Sequence, residues 1–333
     1  MKMLGSFTVK CRPAAAKSRH PPKGPFSVKL IIQIPCFNEE HSLATTLAAL
    51  PRQIPGVSEI EILVIDDGSE DRTAEIARAG GAIVHSLGGH RGLAAAFTAG
   101  LHEALMRGAD VVVNTDADNQ YEAADIPALI EPILTGRADL VLGDRDVARE
   151  EFFSPAKRIL QKVGSGVLSL ATGVKVPDAT SGFRAFSRGA ASRVLVLSKY
   201  SYTLETLIQA AALKQRITFV PIRTNPPTRP SRLMRSQFDY VRRSAAIILR
   251  SFALYHPVKT LLISTGILIG LAIGGLATDI PAMVAIAAVS QSLALVGFAP
   301  LYQAHRAVLR RVEKQAGSIE QATTAQCVPA SSG

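Results

Sequence analysis

Two carboxylates one residue apart, followed by an amide, are the first feature here that can do chemistry: Asp116, Asp118 and Gln120 come directly after the apolar run 110–114. Oxygen ligands at alternate positions of an extended stretch suit Mg2+ or Mn2+ held against a diphosphate. Taken alone, two aspartates in three residues are more often a turn. A second acidic pair, Asp66 and Asp67, closes the run 61–65 and leads through Gly68 and Ser69 towards a helix beginning near Thr73. A carboxylate there either shapes the approach to the helix or accepts hydrogen bonds from a base or ribose. Asp67 is expected to face outward and Asp66 to be the more structural of the two.

The elements that must position these groups follow from periodicity. Apolar runs at 28–34, 61–65, 82–85, 110–114 and 140–142 read as strands, and they alternate with helical patterns at 42–50, 71–79, 93–107 and 126–134. The alternation predicts an α/β fold, a mostly parallel sheet with helices on both faces. Ligands in such sheets lie beyond the carboxyl ends of the strands. Polar residues gather there, with Pro35-Cys36-Phe37-Asn38-Glu39-Glu40, Asp66-Asp67-Gly68-Ser69, Thr115-Asp116-Ala117-Asp118 and Gly143-Asp144-Arg145 each trailing an apolar run.

At 333 residues and 47% apolar composition the chain has material for one large domain and more. The apolar residues are unevenly spread: between 260 and 302 the only charged side chain is Asp279. Segments 258–277 and 281–302, each about twenty residues, are long enough to cross a hydrocarbon core as helices joined by Thr278-Asp279-Ile280. Arg242, Arg243, Arg250 and Lys259 stand before the pair and Arg306, Arg310, Arg311 and Lys314 after it, so the positive-inside rule puts both ends in the cytoplasm. Gly266, Gly270, Gly274 and Gly275 recur at helical spacing and could let the two helices approach. Segments 152–170 and 238–254 mix apolar residues with Lys157, Arg158, Lys162, Arg242, Arg243 and Arg250, as an amphipathic helix at a membrane interface does and as a helix packed on the sheet also can. The expected division is a flexible basic leader at 1–27, a catalytic domain at 28–235, an amphipathic juxtamembrane helix at 236–256, a transmembrane hairpin at 257–303 and a cytoplasmic tail at 304–333. The leader lacks the continuous apolar core of a secretory signal.

A net charge of +10 favours anionic partners, either a phospholipid surface or phosphorylated substrates. Nucleic acid ranks last, because Trp is absent, aromatics are 5% of residues and no basic helix with interleaved stacking residues occurs. The three cysteines lie far apart without metal or disulfide spacing. A nicotinamide dehydrogenase is disfavoured because the first strand runs into Pro-Cys-Phe-Asn, with no Gly-x-Gly-x-x-Gly turn.

Six segments in order resemble family 2 glycosyltransferases of the GT-A fold, and among them the polyprenol-phosphate sugar transferases. They are Ile34 to Glu40, Val64 to Thr73, Asp116 to Tyr121, Leu142-Gly143-Asp144-Arg145, Asp178-Ala179-Thr180-Ser181-Gly182-Phe183-Arg184, and Arg229-Pro230-Ser231-Arg232. The resemblance implies that Pro35, Phe37, Glu39, Asp67 and Asp116 line a nucleotide-diphosphate sugar, and that Asp116, Asp118 and Gln120 surround Mg2+ or Mn2+. It implies that Arg145, Arg158, Arg229 and Arg232 bind an acceptor phosphate, a task suited to guanidinium forks. One departure is His90, where many relatives carry Asn ahead of the glycine. The implied reaction moves a hexose from GDP-mannose or a UDP-hexose to undecaprenyl phosphate at the inner (cytoplasmic) membrane, inverting the anomeric centre. Asp116, Asp118, Arg145 and Asp178 are the catalytic candidates. A phosphate acceptor is already anionic, so no general base is required; Asp178 is the nominee if the acceptor is a hydroxyl, and otherwise it orients the Thr180-Ser181-Gly182 turn. Glu205 either touches the acceptor or closes a buried hydrogen-bond set. Two alternatives remain open: a glycolipid hydroxyl acceptor on the same fold, and a non-catalytic membrane subunit that binds nucleotide sugars.

Overall fold

A computed structural model describes residues 27–146, 155–198, 201–226, 237–278 and 280–326. Residues 1–26 of the expected leader, together with Arg229 and Arg232, lie outside the described residues.

The apolar runs become strands β1 (Lys29–Cys36), β2 (Glu59–Asp66), β3 (Ile83–Ser86), β4 (Val111–Asn114) and β5 (Leu140–Asp144). Between them stand helices α1 (Leu43–Ala49), α2 (Thr73–Ala79), α3 (Leu93–Met106) and α4 (Ile126–Leu134). Then follow α5 (Pro155–Thr172), β6 (Arg184–Ser187), α6 (Arg188–Ala191), α7 (Thr203–Ala212) and β7 (Ile217–Pro221). The chain continues with α8 (Gln237–Tyr255), α9 (Pro257–Ala277) and α10 (Pro281–Gln326).

Seven strands form one sheet in the order β3-β2-β1-β4-β6-β5-β7. β1 pairs in parallel with β2 and β4, β2 with β3, and β5 with β7, whereas β6 runs antiparallel to both β4 and β5. β6 and β7 fall outside the runs that mark strands in the sequence. β6 is four residues long and opens on an arginine, and β7 is a half-buried edge strand ending in proline.

Side chains of β1 alternate across the sheet, as the two-residue period of a strand requires. Leu30, Ile32 and Ile34 pack with Leu43 and Leu47 of α1 and Ile126, Leu129 and Ile130 of α4. On the other face Ile31 joins Leu63 and Ile65 of β2, Phe97 and Leu101 of α3, and Leu204, Leu207 and Ile208 of α7. Burial on both faces explains why β1 reads as an unbroken apolar run.

α9 and α10 are long and apolar enough to cross a membrane, with mean hydropathy of 2.0 and 1.9 in their most apolar windows. Only 6% of each window is buried, which separates them from the core helices of a soluble domain. Leu262, Ile267, Ile273, Leu276, Ile286, Val289, Leu293 and Val296 are all exposed. The glycine expectation is corrected: a Cβ on Gly266, Gly270 or Gly274 would meet nothing within 4 Å, so these three face away from α10. Gly275 alone sits at the crossing, where a Cβ would come within 2.8 Å of Met283. Between the helices Gln291 donates to Thr265 Oγ1 at 2.9 Å.

α10 has 46 residues, about 69 Å at 1.5 Å per residue, more than twice the roughly 30 Å of a hydrocarbon core. It passes without a break through residue 303 and docks on the domain. Val308, Val312 and Ile319, spaced to share one helix face, are buried. Gln315 donates to the Val194 carbonyl at 3.0 Å, Arg188 of α6 to Thr323 Oγ1 at 2.6 Å, and His305 Nδ1 lies 2.8 Å from the Leu254 carbonyl of α8.

Candidate active site

The acidic segment leaves β4 at the carboxyl edge of the sheet. Thr46 of α1 donates to the Ala117 carbonyl at 2.9 Å and so holds the middle of the Asp116-Ala117-Asp118 run. Asn119 then adopts a left-handed φ of 56°, which turns the chain back. Asn225, beyond β7, secures that turn by donating its N–H to the Gln120 carbonyl at 2.8 Å and its side-chain amide to the Asn119 carbonyl at 3.0 Å. Asp118 Oδ1 accepts the Gln120 N–H at 3.1 Å. The three expected metal ligands therefore occupy one clamped turn.

Asp116 is covered by the loop 178–183. A Cβ on Gly182 would stand 3.0 and 3.1 Å from the two Asp116 oxygens and 3.0 Å from the Tyr202 hydroxyl, so any side chain there would crowd the Asp116 carboxylate and shift it or the loop. The Tyr121 hydroxyl accepts the Gly182 N–H at 2.8 Å and donates to Asp116. Asn114 supports the same loop from below, giving its amide to the Gly182 carbonyl at 2.8 Å and the Tyr202 hydroxyl at 2.9 Å while accepting from Gln33 at 2.9 Å. Burial, then the neighbouring charge of Asp118, push the Asp116 carboxyl up to about 7; Arg145 and the Tyr121 hydrogen bond counter only part of this. Asp116 and Asp118 are both half-buried, and two carboxylates that repel at such a site leave a place for a cation.

Arg145 follows β5. Its Nε and Nη2 donate to the two oxygens of Asp178 at 2.6 and 3.0 Å, and Nη2 also donates to Thr180 Oγ1 at 2.6 Å. Asp178 is fully buried and Arg145 9% exposed, so this is a buried, forked ion pair. Burial disfavours both charges, yet each partner outweighs it: Asp178 is held below the usual carboxylate range and Arg145 above its ordinary value. Asp178 thus orients Arg145 and the Thr180 turn. Of Arg158 only the backbone, in α5, is described.

Arg184 received no role from the sequence. Fully buried, it donates to the carbonyls of Ser181, Thr203 and Ala179 and to Thr206 Oγ1, all neutral acceptors, and burial pulls it down to about 10. It staples the 178–183 loop to α7. Glu205 closes a hydrogen-bond set, accepting from the N–H groups of Leu197 and Ser198 at 3.0 and 2.8 Å.

The residues expected to line a nucleotide lie on the loops after β1 and β2. Pro35 is buried within β1 opposite Ile65, and Phe37 and Glu39 are half-buried beyond it. The Asn38 N–H donates to Ser69 Oγ at 3.0 Å and that of Glu39 to Thr73 Oγ1 at 2.8 Å, binding the two loops together. Asp67 differs from its expected outward pose. It is 2% exposed, and its oxygens accept the N–H groups of Arg91 and Gly92, each at 2.8 Å.

Beside this site lies an apolar cavity of about 650 Å3 between α5, α7, α8 and the start of α9. Val167, Leu168, Leu204, Ile248, Phe252 and Ile263 are among its walls, and it reaches Ala179 and Thr180. One of its lining residues, Thr180, is the one to which Arg145 donates. α5 and α8 carry exposed Lys162, Arg242 and Arg243 beside exposed Val163, Leu170 and Leu249, the mixed surface expected of them.

Among the described residues no group of three or more His, Cys, Asp and Glu gathers as a metal site. Asp116 and Asp118 are a two-carboxylate set of the kind that binds Mg2+ or Mn2+ together with substrate phosphates.

Comparison with known proteins agrees with this architecture. The model of the family described as glycosyl transferase family 2 matches residues 31–195. The chain is 33% identical over 209 residues to an undecaprenyl-phosphate mannosyltransferase of Micrococcus luteus, covering 59% of this chain and 83% of that one. It is 32% identical over 193 residues to a dolichyl-phosphate hexose transferase of Haloferax volcanii, covering 58% and 81%. Among solved structures, glucosyl-3-phosphoglycerate synthase from Mycobacterium tuberculosis, crystallised with Mn2+, UDP-glucose and phosphoglyceric acid, superposes with a TM-score of 0.54 at 21% identity over 68% of this chain and 80% of that one. The seven-stranded sheet is accordingly of GT-A type, and the chain belongs to glycosyltransferase family 2 and is a glycosyltransferase.

Proposed function

We propose that the protein moves a hexose from a nucleotide-diphosphate sugar, GDP-mannose or a UDP-hexose, to polyprenyl phosphate of the undecaprenyl kind, with inversion. The observation that carries this reading is the apolar cavity lined in part by Thr180, whose hydroxyl accepts from Arg145. An isoprenoid chain in that cavity would bring its phosphate to a guanidinium already aimed by Asp178. The names of the Micrococcus and Haloferax relatives support the same acceptor class.

Arg145 would grip the acceptor phosphate, with Arg158, Arg229 and Arg232 as further phosphate ligands. The phosphate oxygen would attack the anomeric carbon without a general base, which suits an Asp178 already engaged by Arg145. Asp116, Asp118 and Gln120 would hold Mg2+ or Mn2+, which when bound stabilises charge on the departing diphosphate. Pro35, Phe37, Glu39 and Asp67 would line the nucleotide. In this reading 28–235 is the catalytic domain, 236–256 lies along the interface and 257–303 spans the bilayer. The flanking arginines and lysines support placing both ends on the cytoplasmic side.

The test is transfer of labelled sugar from GDP-mannose and from UDP-hexoses to undecaprenyl phosphate by the purified protein with Mn2+. Product is expected from the wild type and none from Asp118→Ala. Activity retained in that variant removes the metal assignment, and activity confined to hydroxyl lipids removes the phosphate acceptor.

A further inference from the structure

We propose that His90 reads the nucleobase of the donor, by accepting a hydrogen bond at Nε2 from a ring N–H. The inference rests on the nucleotide-sugar reading above and assigns a specificity-determining residue within it.

The loop carrying His90 is fixed from below. Asp67 takes the N–H groups of Arg91 and Gly92. Gly68, at a φ of 78°, lies so close beneath that a Cβ would be 2.6 to 2.7 Å from the Gly89 and His90 backbone. Any side chain at 68 would push this loop away. Held in this manner, the His90 imidazole stacks on Phe37, with ring centroids 4.0 Å apart and planes inclined by 28°.

The orientation of the imidazole fixes its tautomer. Nδ1 lies 2.9 Å from Asp67 Oδ2. A lone pair on Nδ1 would face a carboxylate oxygen, so in the neutral imidazole Nδ1 carries the proton and Nε2 is the acceptor. The side chain is 56% exposed, which leaves the imidazole open to a ligand. Three donors already converge on Asp67, which positions His90 as a contact beside it.

The placement matches a nucleotide laid across the edge of the sheet. The loops bearing His90, Asp67, Phe37 and Asp116 follow β3, β2, β1 and β4, which are adjacent in that order. Three strand intervals separate β3 from β4, roughly 14 Å, the order of the reach from a diphosphate at Asp116 and Asp118 to its base. Uracil at N3 and guanine at N1 present a ring N–H to such an acceptor. Cytosine and adenine present a lone pair at the corresponding position, which would meet the lone pair of Nε2.

Isothermal titration of the full chain in detergent with Mn2+ and UDP, GDP, CDP or ADP tests the assignment. UDP or GDP should bind at least about tenfold more tightly than CDP and ADP, and about tenfold is 1.4 kcal/mol. His90→Phe keeps a flat ring on Phe37 but has no acceptor, and it should bring the preference to within about threefold while raising the donor KM and leaving kcat within about threefold. A second measurement needs no variant: UDP methylated at N3, or GDP methylated at N1, should bind the wild type about as weakly as the unmodified nucleotide binds His90→Phe. Equal binding of all four bases by the wild type, a preference that survives in His90→Phe, or tight binding of the methylated nucleotide would each overturn the role of His90. Failure of the wild type to bind any nucleoside diphosphate would remove the donor reading itself, and this inference with it.

Discussion

Asp178→Asn takes one charge out of a buried pair and leaves the other in place. The wild-type contacts are 2.6 and 3.0 Å, with Asp178 fully buried and Arg145 9% exposed, so water cannot replace the lost carboxylate. Removing one member of such a pair costs about 3–5 kcal/mol. In a domain of this size each kcal/mol moves Tm by roughly 2–4 °C, which gives an expected fall of about 6–20 °C. Asparagine keeps one acceptor oxygen, so the lower half of that range is expected. Arg145 holds Asp178 below the usual carboxylate range, against the opposing effect of burial. A depressed carboxyl stabilises the fold at every pH above its unfolded value of about 3.9 and loses that contribution as pH falls through the folded value. The gap in Tm between wild type and variant should therefore stay flat from pH 5 to 8 and close only in stronger acid. Scanning fluorimetry of wild type, Asp178→Asn and the double variant Arg145→Met with Asp178→Asn completes the test. The double variant should recover part of the loss, because it leaves no orphaned charge. A single variant within about 2 °C of wild type, or a double variant no more stable than Asp178→Asn, would refute the reasoning. In transfer assays Asp178→Asn should act mainly on the acceptor KM. A fall in kcat by about a thousandfold, with loss of the acidic limb of the pH profile, would instead identify Asp178 as a general base.

Because Asp116 is pushed up to about 7, its ionisation opposes the metal-free fold as pH rises from about 4 through 7, and a bound cation relieves that strain. Stabilisation by Mn2+ should accordingly grow from pH 6 to 8 and vanish in Asp116→Asn; a thermal shift independent of pH would contradict it. Gly182→Ala should lower transfer by about ten- to a hundredfold while Tm changes by only a few degrees, since its methyl group displaces the Asp116 carboxylate more than the core. Filling the cavity with Ala245→Trp should raise KM for long polyprenyl phosphates at least about tenfold and leave a short, soluble prenyl phosphate unaffected, as measured by initial rates on both acceptors.

The parallel core of the sheet was legible because β1, β2 and β4 are buried on both faces and so spell unbroken apolar runs. β6 and β7 were not, because a four-residue strand and a half-buried edge strand carry too little periodicity. The acidic turn could be read from composition, since Asp116, Asp118 and Gln120 are neighbours in the chain. Asp178 and Arg145 are separated by 33 positions, and nothing in their spacing declares that they pair. The burial of Asp67 was hidden for a different reason: two of its three partners are backbone N–H groups, which every residue carries. Arg184 was hidden likewise, as an arginine whose acceptors are mostly carbonyls. The docking face of α10 did leave a signal in Val308, Val312 and Ile319, which repeat at helical spacing beyond the apolar stretch.

That docking has a geometric outcome. One uninterrupted helix runs from the hairpin crossing to Thr323, where α6 grips it, and α8 meets it again at His305. In a bilayer such a rod would set the height and lean of the pocket above the lipid, leaving the enzyme little freedom to bob or swivel. Prey arriving sideways within the leaflet would meet the opening at a constant level, so encounter would become a planar search whose speed follows the density of acceptor molecules per unit area.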